Sequence, residues 1–467
     1  MFNVRFDRDV AEPAYRQLYR RISAAVLDGT LAQDTRLPSA RALASQLGLA
    51  RGTVEAAYGQ LAGEGYIQGR GAAGTFVASV AVAPIAVPAP APGATVTTAA
   101  QGQPLPFQMG LPALDAFPRK LWTRLAARQA HALSTLSLVG PDPAGIAPLR
   151  QAIARYLAVA RGIAVPPEQV IVTAGFQGAL GLITRLPGLL DRPVWMEEPG
   201  YFLGHAGLVA AGAQIVPVPV DGEGLDVAAG KVLAPDARLA LVSPSHQSPL
   251  GMALSLPRRL QLLDWAAANQ AWIVEDDYDS EFRYVGRPLP PLKSLDRAGR
   301  VLYVGTFSKT LFPGLRLGYL VAPPALTRQI AELAALLNPL PAADAQATLA
   351  AFLAEGHFGR HVRRMRQLYA RRRAALASAL EQVFGADRVR LGAGGMQILL
   401  RLDDRADDLA AVAACHAAGL APSPLSRAYA GPRKRQGLLL SFTNLPPEQA
   451  PVLVQRLARA LSMPLRP

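Results

Sequence analysis

Apolar positions in the first eighty residues recur at helical spacing and break at glycines. Leu18, Ile22, Ala25 and Val26 share one side of Pro13–Asp28, Arg16, Arg20 and Arg21 lie elsewhere, and Gly29 closes the segment. Ser39 stands in N-cap position for a helix over Ala40–Leu47 that Gly48 ends, and a further helix follows over Arg51–Glu64. Two short helices joined by a tight glycine-containing turn predict a helix-turn-helix. The extended pieces Gly65–Gln68 and Gly74–Ala78, around GRGAAG, add a small hairpin, so residues 1–78 read as a mainly α winged domain. Ser79–Pro106 then has six prolines, no charge and no usable period, and reads as a linker, semi-rigid where proline is dense. From residue 107 to 467 short apolar runs alternate with helical ones, the order of an α/β domain with a largely parallel sheet. Val170–Thr173, Val194–Met196, Ala271–Tyr278 and Val301–Val304 are its predicted strands, and Pro148–Ala160 is a predicted helix. The large part runs to about residue 341; long helices and a small mixed α/β part follow, with strands in RVRLGAGGMQILLRL and GLLLSFTNL.

Composition narrows the setting. The chain has 467 residues, 51% apolar and 18% charged, and its one cysteine, Cys415, excludes an intrachain disulfide framework. No apolar run long enough to span a bilayer is free of proline or charge, and acids follow the start closely, so a cytoplasmic protein is expected. The net charge of +14 invites a nucleic-acid partner, yet residues 1–78 hold only 9 Lys+Arg against 7 Asp+Glu, so charge alone does not locate the DNA surface. The densest basic run, His357–Arg373, reads as a helix whose arginines form a solvated or subunit-contact face, with auxiliary DNA backbone contact as the alternative. His357 and His361 stand four apart without the acid or third ligand of a metal site, so an exposed helix and no metal are expected.

The candidate chemistry centres on VLYVGTFSKTLFPGLRLGY, Val301–Tyr319. Lys309 just past a strand is, on the plain reading, a surface lysine on a loop. With Thr306, Ser308 and Arg316 around it, the same lysine suits an aldehyde, and the hydroxyls and guanidinium suit a phosphate. Another strand ends in acids, AWIVEDDY, where a carboxylate would keep a pyridine nitrogen protonated. In TAGFQGAL, Thr173–Leu180, a glycine turn at a helix start offers free N–H groups to an anion.

Together EDDYDSEF and GTFSKTLFPGLRLGY resemble the fold type I aminotransferases that use pyridoxal phosphate, in the form carried by the MocR branch of the GntR transcriptional regulators. RLPSARALASQLGLARGTVEAAYGQLAGEGYIQGRGAAGTFV resembles the GntR winged helix-turn-helix along its whole length. The resemblance implies that Lys309 forms an internal aldimine with pyridoxal 5'-phosphate and that Asp276, ahead of Asp277, partners the ring nitrogen. It assigns Thr306, Ser308 and Arg316 to the phosphate, with Gly175, Phe176 and Gln177 as the phosphate cup through backbone and side chain. Tyr201 becomes the aromatic near the ring, and Ser248 in PSHQSPLGMALSLPRR holds the place of an asparagine that meets the ring hydroxyl, a contact Tyr278 would supply. DNA contact falls to Arg41, Arg51 and Thr53 and to Arg70 and Gly71 at the wing tip, while Glu55 replaces an arginine of some members.

Two departures matter. Gly140 stands where a tyrosine often reaches the partner subunit's phosphate, and GLLLSFTNL has leucines where aminotransferases place the carboxylate-binding arginine. Arg427, Arg433 or Arg435 would have to reach in, Arg427 being preferred. The implied protein is a domain-swapped, head-to-tail homodimer that binds two half-sites of double-stranded DNA and senses pyridoxal phosphate or an amine or amino acid effector. It is not primarily an enzyme, although a partial transaminase half-reaction fits the same residues. The alternatives are a working aminotransferase with an accessory DNA-binding domain and a DNA-binding protein whose cofactor pocket has decayed.

Overall fold

Leu18, Ile22, Leu43, Val54, Leu61 and Val77 form the centre of a small core that three helices enclose. The computed structural model describes residues 12–79, 103–132, 139, 142–287, 289–337, 343–432 and 434–462, in two compact units, Met1–Gln101 and Gly102–Pro467. Most of the proline-rich linker, Gly140, Arg433 and the boundary near residue 341 lie outside the described residues.

In the first unit the helices span Ala14–Leu27, Ala40–Leu47 and Arg51–Gly63. Ser39 caps the second, its hydroxyl accepting from Ala42 N–H at 3.1 Å, and Gly48 ends it in the left-handed conformation at φ +65°. Strands β1 (Arg36–Leu37), β2 (Ile67–Gly69) and β3 (Thr75–Val77) form a sheet in the order β1-β3-β2. The hairpin is therefore a three-stranded wing. The added strand is two residues long, too short for any periodicity to announce.

The second unit is built on eight strands: β4 (Val170–Thr173), β5 (Val194–Glu198), β6 (Ile215–Asp221), β7 (Gly224–Leu225), β8 (Leu239–Val242), β9 (Trp272–Asp277), β10 (Val301–Thr306) and β11 (Gly318–Val321). Their order is β4-β11-β10-β9-β8-β5-β6-β7. Only β11 and β7 oppose the common direction. Strands β4, β8 and all of β10 but Thr306 are buried along their length, as expected where helices cover both faces. From β5 the chain goes outward to β6 and then back to β8, β9 and β10 on the other side. That reversal opens a crevice at the carboxyl ends of the strands.

The small part holds β12 (Val389–Arg390), β13 (Gln397–Arg401), β14 (Ser423–Pro424) and β15 (Gly437–Ser441), in the antiparallel order β12-β13-β15-β14. Helices His357–Phe384 and Ala450–Ala460 pack on it through Met365, Tyr369, Leu376, Leu453 and Leu457. Buried Asp408 ties its loops together by accepting from Ser426 N–H at 2.8 Å and Gly437 N–H at 3.2 Å.

The basic helix departs from expectation. His361 is buried, not exposed: its Nε2 donates to the Thr310 carbonyl at 2.9 Å, and burial lowers its pKa. Arg372 is buried as well, bonded to Asp115 and the Thr443 carbonyl. A helix of 28 residues crosses both the sheet units and the surface, so a charge run counted along the sequence mixes two environments.

The Ser39 cap yields a direct test. Ser39→Ala removes one acceptor at a helix start and should cost the first unit about 1 kcal/mol, while Ser39→Asp should restore most of it, as read by urea unfolding of the isolated residues 1–79 monitored by circular dichroism.

Candidate functional site

Strand β9 delivers three acids in a row, Glu275, Asp276 and Asp277, and the pleat turns neighbours to opposite faces. Glu275 accepts from Leu292 N–H at 3.0 Å and Lys293 N–H at 2.8 Å. Asp277 accepts from Arg161 Nη2 at 2.6 Å and from the Tyr303 hydroxyl. Asp276 faces the other way. It is 4% exposed, and none of the described residues hydrogen-bonds to its carboxylate. Burial and the neighbouring Asp277 raise its pKa well above the usual carboxylate range, with Lys309 drawing it back.

Lys309 arrives from β10, which runs parallel to β9 with Val304 beside Asp276. Its Nζ donates to the Gly110 carbonyl at 3.2 Å. Gly110 sits at φ +86°, and a Cβ there would come within 3.2 Å of that amine. Only glycine suits this turn and the approach together. Burial lowers the Lys309 pKa, while Asp279 and Asp276 hold it up. The group is thus an amine near acids, with a larger neutral, nucleophilic fraction than a surface lysine has.

Beside Lys309 an anion cup takes shape from strand register. Thr306 of β10 faces Gly318 of β11, and Gly318 faces Thr173 of β4, so three turns meet at one edge. Helix Gly175–Ile183 begins there, with Gly175 at φ +76°. Gly318 lets it approach, since a Cβ would lie 2.9 Å from the Gly175 Cα. Arg316, itself at φ +54°, donates from Nη2 to the Ala174 carbonyl at 3.0 Å. Thr306 Oγ1 accepts from Ser308 N–H at 3.2 Å. The first-turn N–H groups, the two hydroxyls and the guanidinium form a donor set suited to phosphate. Gln177 departs from the reading made of it: its side chain is exposed and donates to the Leu203 carbonyl at 2.8 Å, leaving only its backbone to the cup.

Aromatic and hydroxyl groups complete the rim. Phe176 meets Tyr201 edge to face at 5.6 Å, and burial with Asp276 raises the Tyr201 pKa. Tyr278, just past β9, meets His246 Nδ1 at 2.9 Å, and burial raises its pKa. Glu197 at the end of β5 accepts from Ser243 N–H at 3.2 Å, and burial pushes it up to about 8. Arg427 is exposed and stacks 4.6 Å over Phe202, the residue after Tyr201. Its loop is docked by the Gly200 N–H to Ala428 carbonyl bond, 2.9 Å. Where a carboxylate clamp was sought on the last strand, Leu439 is buried with Leu399 and Leu425. Lys309, Asp276, Tyr201, Tyr278, Ser248, Thr306, Ser308, Arg316, Gly175 and Phe176 are thus gathered at one sheet edge. Gly110, His246, Asp279 and Arg161 join them unanticipated. His246 stood in the PSHQSPLG segment and Asp279 in EDDYDSEF, but Gly110 and Arg161 carry no local signal because their partners are distant in sequence.

In the first unit, Arg41 lies exposed on the second helix, and Arg51 and Thr53 open the third. Arg51 Nε donates to Glu55 at 2.7 Å, so the acid noted at that position pairs with the arginine beside it. Arg70 pairs with Asp34 and lies 4.7 Å over Phe76, next to Gly71 at φ +56° in the wing turn. These arginine side chains remain 68% and 42% exposed, so the pairs are weak and exchangeable for phosphate.

Residues 14–77 match the bacterial regulatory proteins of the gntR family, and residues 117–457 match aminotransferase class I and II. The chain is 39% identical to the probable rhizopine catabolism regulatory protein MocR of Rhizobium meliloti, over 95% of this chain and 92% of the relative. It is 36% identical to the pyridoxine biosynthesis transcriptional regulator PdxR of Corynebacterium glutamicum, over 91% of each. Among solved structures, a kynurenine aminotransferase of Pyrococcus horikoshii superposes with a TM-score of 0.69 at 27% identity, covering 78% of this chain and 91% of that one. The chain therefore belongs to the MocR branch of the GntR transcriptional regulators, in which a gntR-type DNA-binding domain is joined to an aminotransferase class I and II domain.

Proposed function

We propose that this regulator responds to pyridoxal 5'-phosphate, or to an amine or amino acid held with it, at the Lys309 site. The observation that carries the reading is the buried carboxylate of Asp276, to which none of the described residues hydrogen-bonds, near Lys309 and beside a donor cup. When bound, pyridoxal phosphate supplies an aldehyde that amines attack reversibly and a ring that withdraws electrons. Asp276 would hold a proton on the ring nitrogen, and that cation would return the carboxyl to its ionised form. Arg316, Thr306, Ser308 and the helix start at Gly175 and Phe176 would bind the phosphate. Tyr278 and Ser248 would meet the ring hydroxyl, and Tyr201 would cover one edge. Arg427, stacked over Phe202 next to Tyr201, would be the cation for an effector carboxylate. The name of the pyridoxine biosynthesis regulator favours a B6 vitamer as effector, and that of the rhizopine regulator favours a catabolic one.

In the same reading Arg41, Arg51, Thr53, Arg70 and Gly71 contact double-stranded DNA, and a head-to-tail, domain-swapped homodimer presents two wings to two half-sites. Among the described residues no helix is long and apolar enough to cross a membrane, which agrees with a cytoplasmic setting. A transaminase half-reaction is compatible with Lys309 and Asp276. Sustained turnover of amino acids requires a carboxylate clamp, and Leu439 occupies the strand position from which one was sought.

Loading the purified protein with pyridoxal phosphate should produce a visible absorption band that is missing in Lys309→Ala. Asp276→Asn should weaken cofactor binding about tenfold or more, the value of a hydrogen bond to a charged group, measured by fluorescence titration. An unchanged band in Lys309→Ala would overturn the assignment.

Operator binding supplies a separate check. If Arg51 meets a phosphate, Arg51→Ala should lower the slope of log affinity against log salt by about 0.9 in a fluorescence-anisotropy titration, whereas loss of a base contact would leave the slope and relax specificity.

A further inference from the structure

His246 is 5% exposed and belongs to neither the cofactor cup nor the lysine. Its Nδ1 lies 2.9 Å from the Tyr278 hydroxyl and 3.1 Å from Asp279 Oδ2, and Asp279 is 2% exposed. An ionised carboxylate only accepts, so Asp279 fixes the imidazole proton on Nδ1. A protonated Nδ1 then donates to the Tyr278 oxygen as well. The tyrosine proton then points away from His246.

The other edge of the ring is gripped by glycines. A Cβ at Gly251 would come within 3.1 Å of His246 Nε2 and one at Gly392 within 3.0 Å, while one at Gly395 would overlap the ring. Gly392 and Gly395 belong to the loop between β12 and β13 of the small part. The bridge between Arg283 and Gly394 and the Gly395 N–H to Phe282 carbonyl bond of 2.8 Å pin that loop. Beside the ring lies a cavity of about 20 Å³, room for one water, lined in part by Arg161, Ser245, Asp279, Ser280 and Arg283. Asp279 thus sets the tautomer from the Nδ1 edge, and the glycines hold the ring from the other.

From this geometry we infer that His246 is a positioning residue: held by Asp279 and the glycine loop, it fixes the Tyr278 hydroxyl as a donor into the Lys309 site. The inference rests on pyridoxal phosphate binding there. Ligands that move the small part would be felt at Tyr278 through the Gly392–Gly395 loop.

The test is a double-mutant cycle on the loaded full-length protein, read by the position of its visible absorption band and by equilibrium affinity for pyridoxal phosphate. His246→Leu should weaken binding about threefold to tenfold, the range for one hydrogen bond, and shift the band in the direction that Tyr278→Phe shifts it. His246→Asn, which keeps a donor near Nδ1, should restore the band. The double variant His246→Leu with Tyr278→Phe should match Tyr278→Phe alone within about twofold, because the histidine acts through the tyrosine. Fully additive effects, or equal losses in His246→Leu and His246→Asn, would reduce His246 to packing and overturn the inference. A wild-type protein without any visible band would instead refute cofactor binding itself, a different failure.

Discussion

The site depends first on the buried pair between Arg161 and Asp277. Three consecutive acids on one strand cannot all be left without partners in a protein interior. Glu275 is neutralised in effect by two backbone donors, and burial with Asp277 pushes it up to about 7. Asp277 is anchored by Arg161 and Tyr303 on the far face of the sheet. Glu275 and one oxygen of Asp277 are held by protein donors, whereas none of the described residues hydrogen-bonds to the Asp276 carboxylate. Two aspartates that look equivalent in sequence are separated by the pleat into one paired with Arg161 and Tyr303 and one that faces Lys309.

Strand order carries that difference to the lysine. Parallel pairing of β9 and β10 brings Lys309 to the same edge as Asp276, and the reversed strand β11 brings Arg316 against the helix that starts at Gly175. The reversed strand is needed for this. A further parallel strand would have placed the Arg316 turn at the opposite edge of the sheet, away from the cup.

Much of this was legible in the sequence because the decisive groups sit at strand ends, where a run of apolar residues stops at Asp276, Thr306 or Thr173. The two-domain order was legible for the same reason: periodicity starts, fails and resumes. What escaped depends on contacts distant in sequence. Gly110 meets Lys309 across 199 positions, and Arg161 reaches Asp277 from a helix that reads as ordinary. The Gln177 side chain was misassigned because a helix start fixes its backbone but leaves the side chain to whichever acceptor is nearest, here Leu203. His361 was misplaced because spacing along a helix gives a face only when the apolar stripe is known, and the arginines around it obscured the stripe.

Glycines join these pieces into a device that can respond. Gly110 admits the lysine, Gly318 admits the helix that starts at Gly175, and Gly251, Gly392 and Gly395 admit a histidine between the large and small parts. Each marks a place where a side chain of even one carbon would hold two elements apart. Three of the five surround His246, whose own hydrogen bonds end at Tyr278 and Asp279. Asp279 in turn is the leading charge that opposes the lowering of the Lys309 pKa by burial. A shift of the glycine loop by a few tenths of an ångström therefore reaches both the hydroxyl and the amine that face the ligand. In a regulator that coupling matters more than turnover, because the output is a change of shape and the ligand need only bias it.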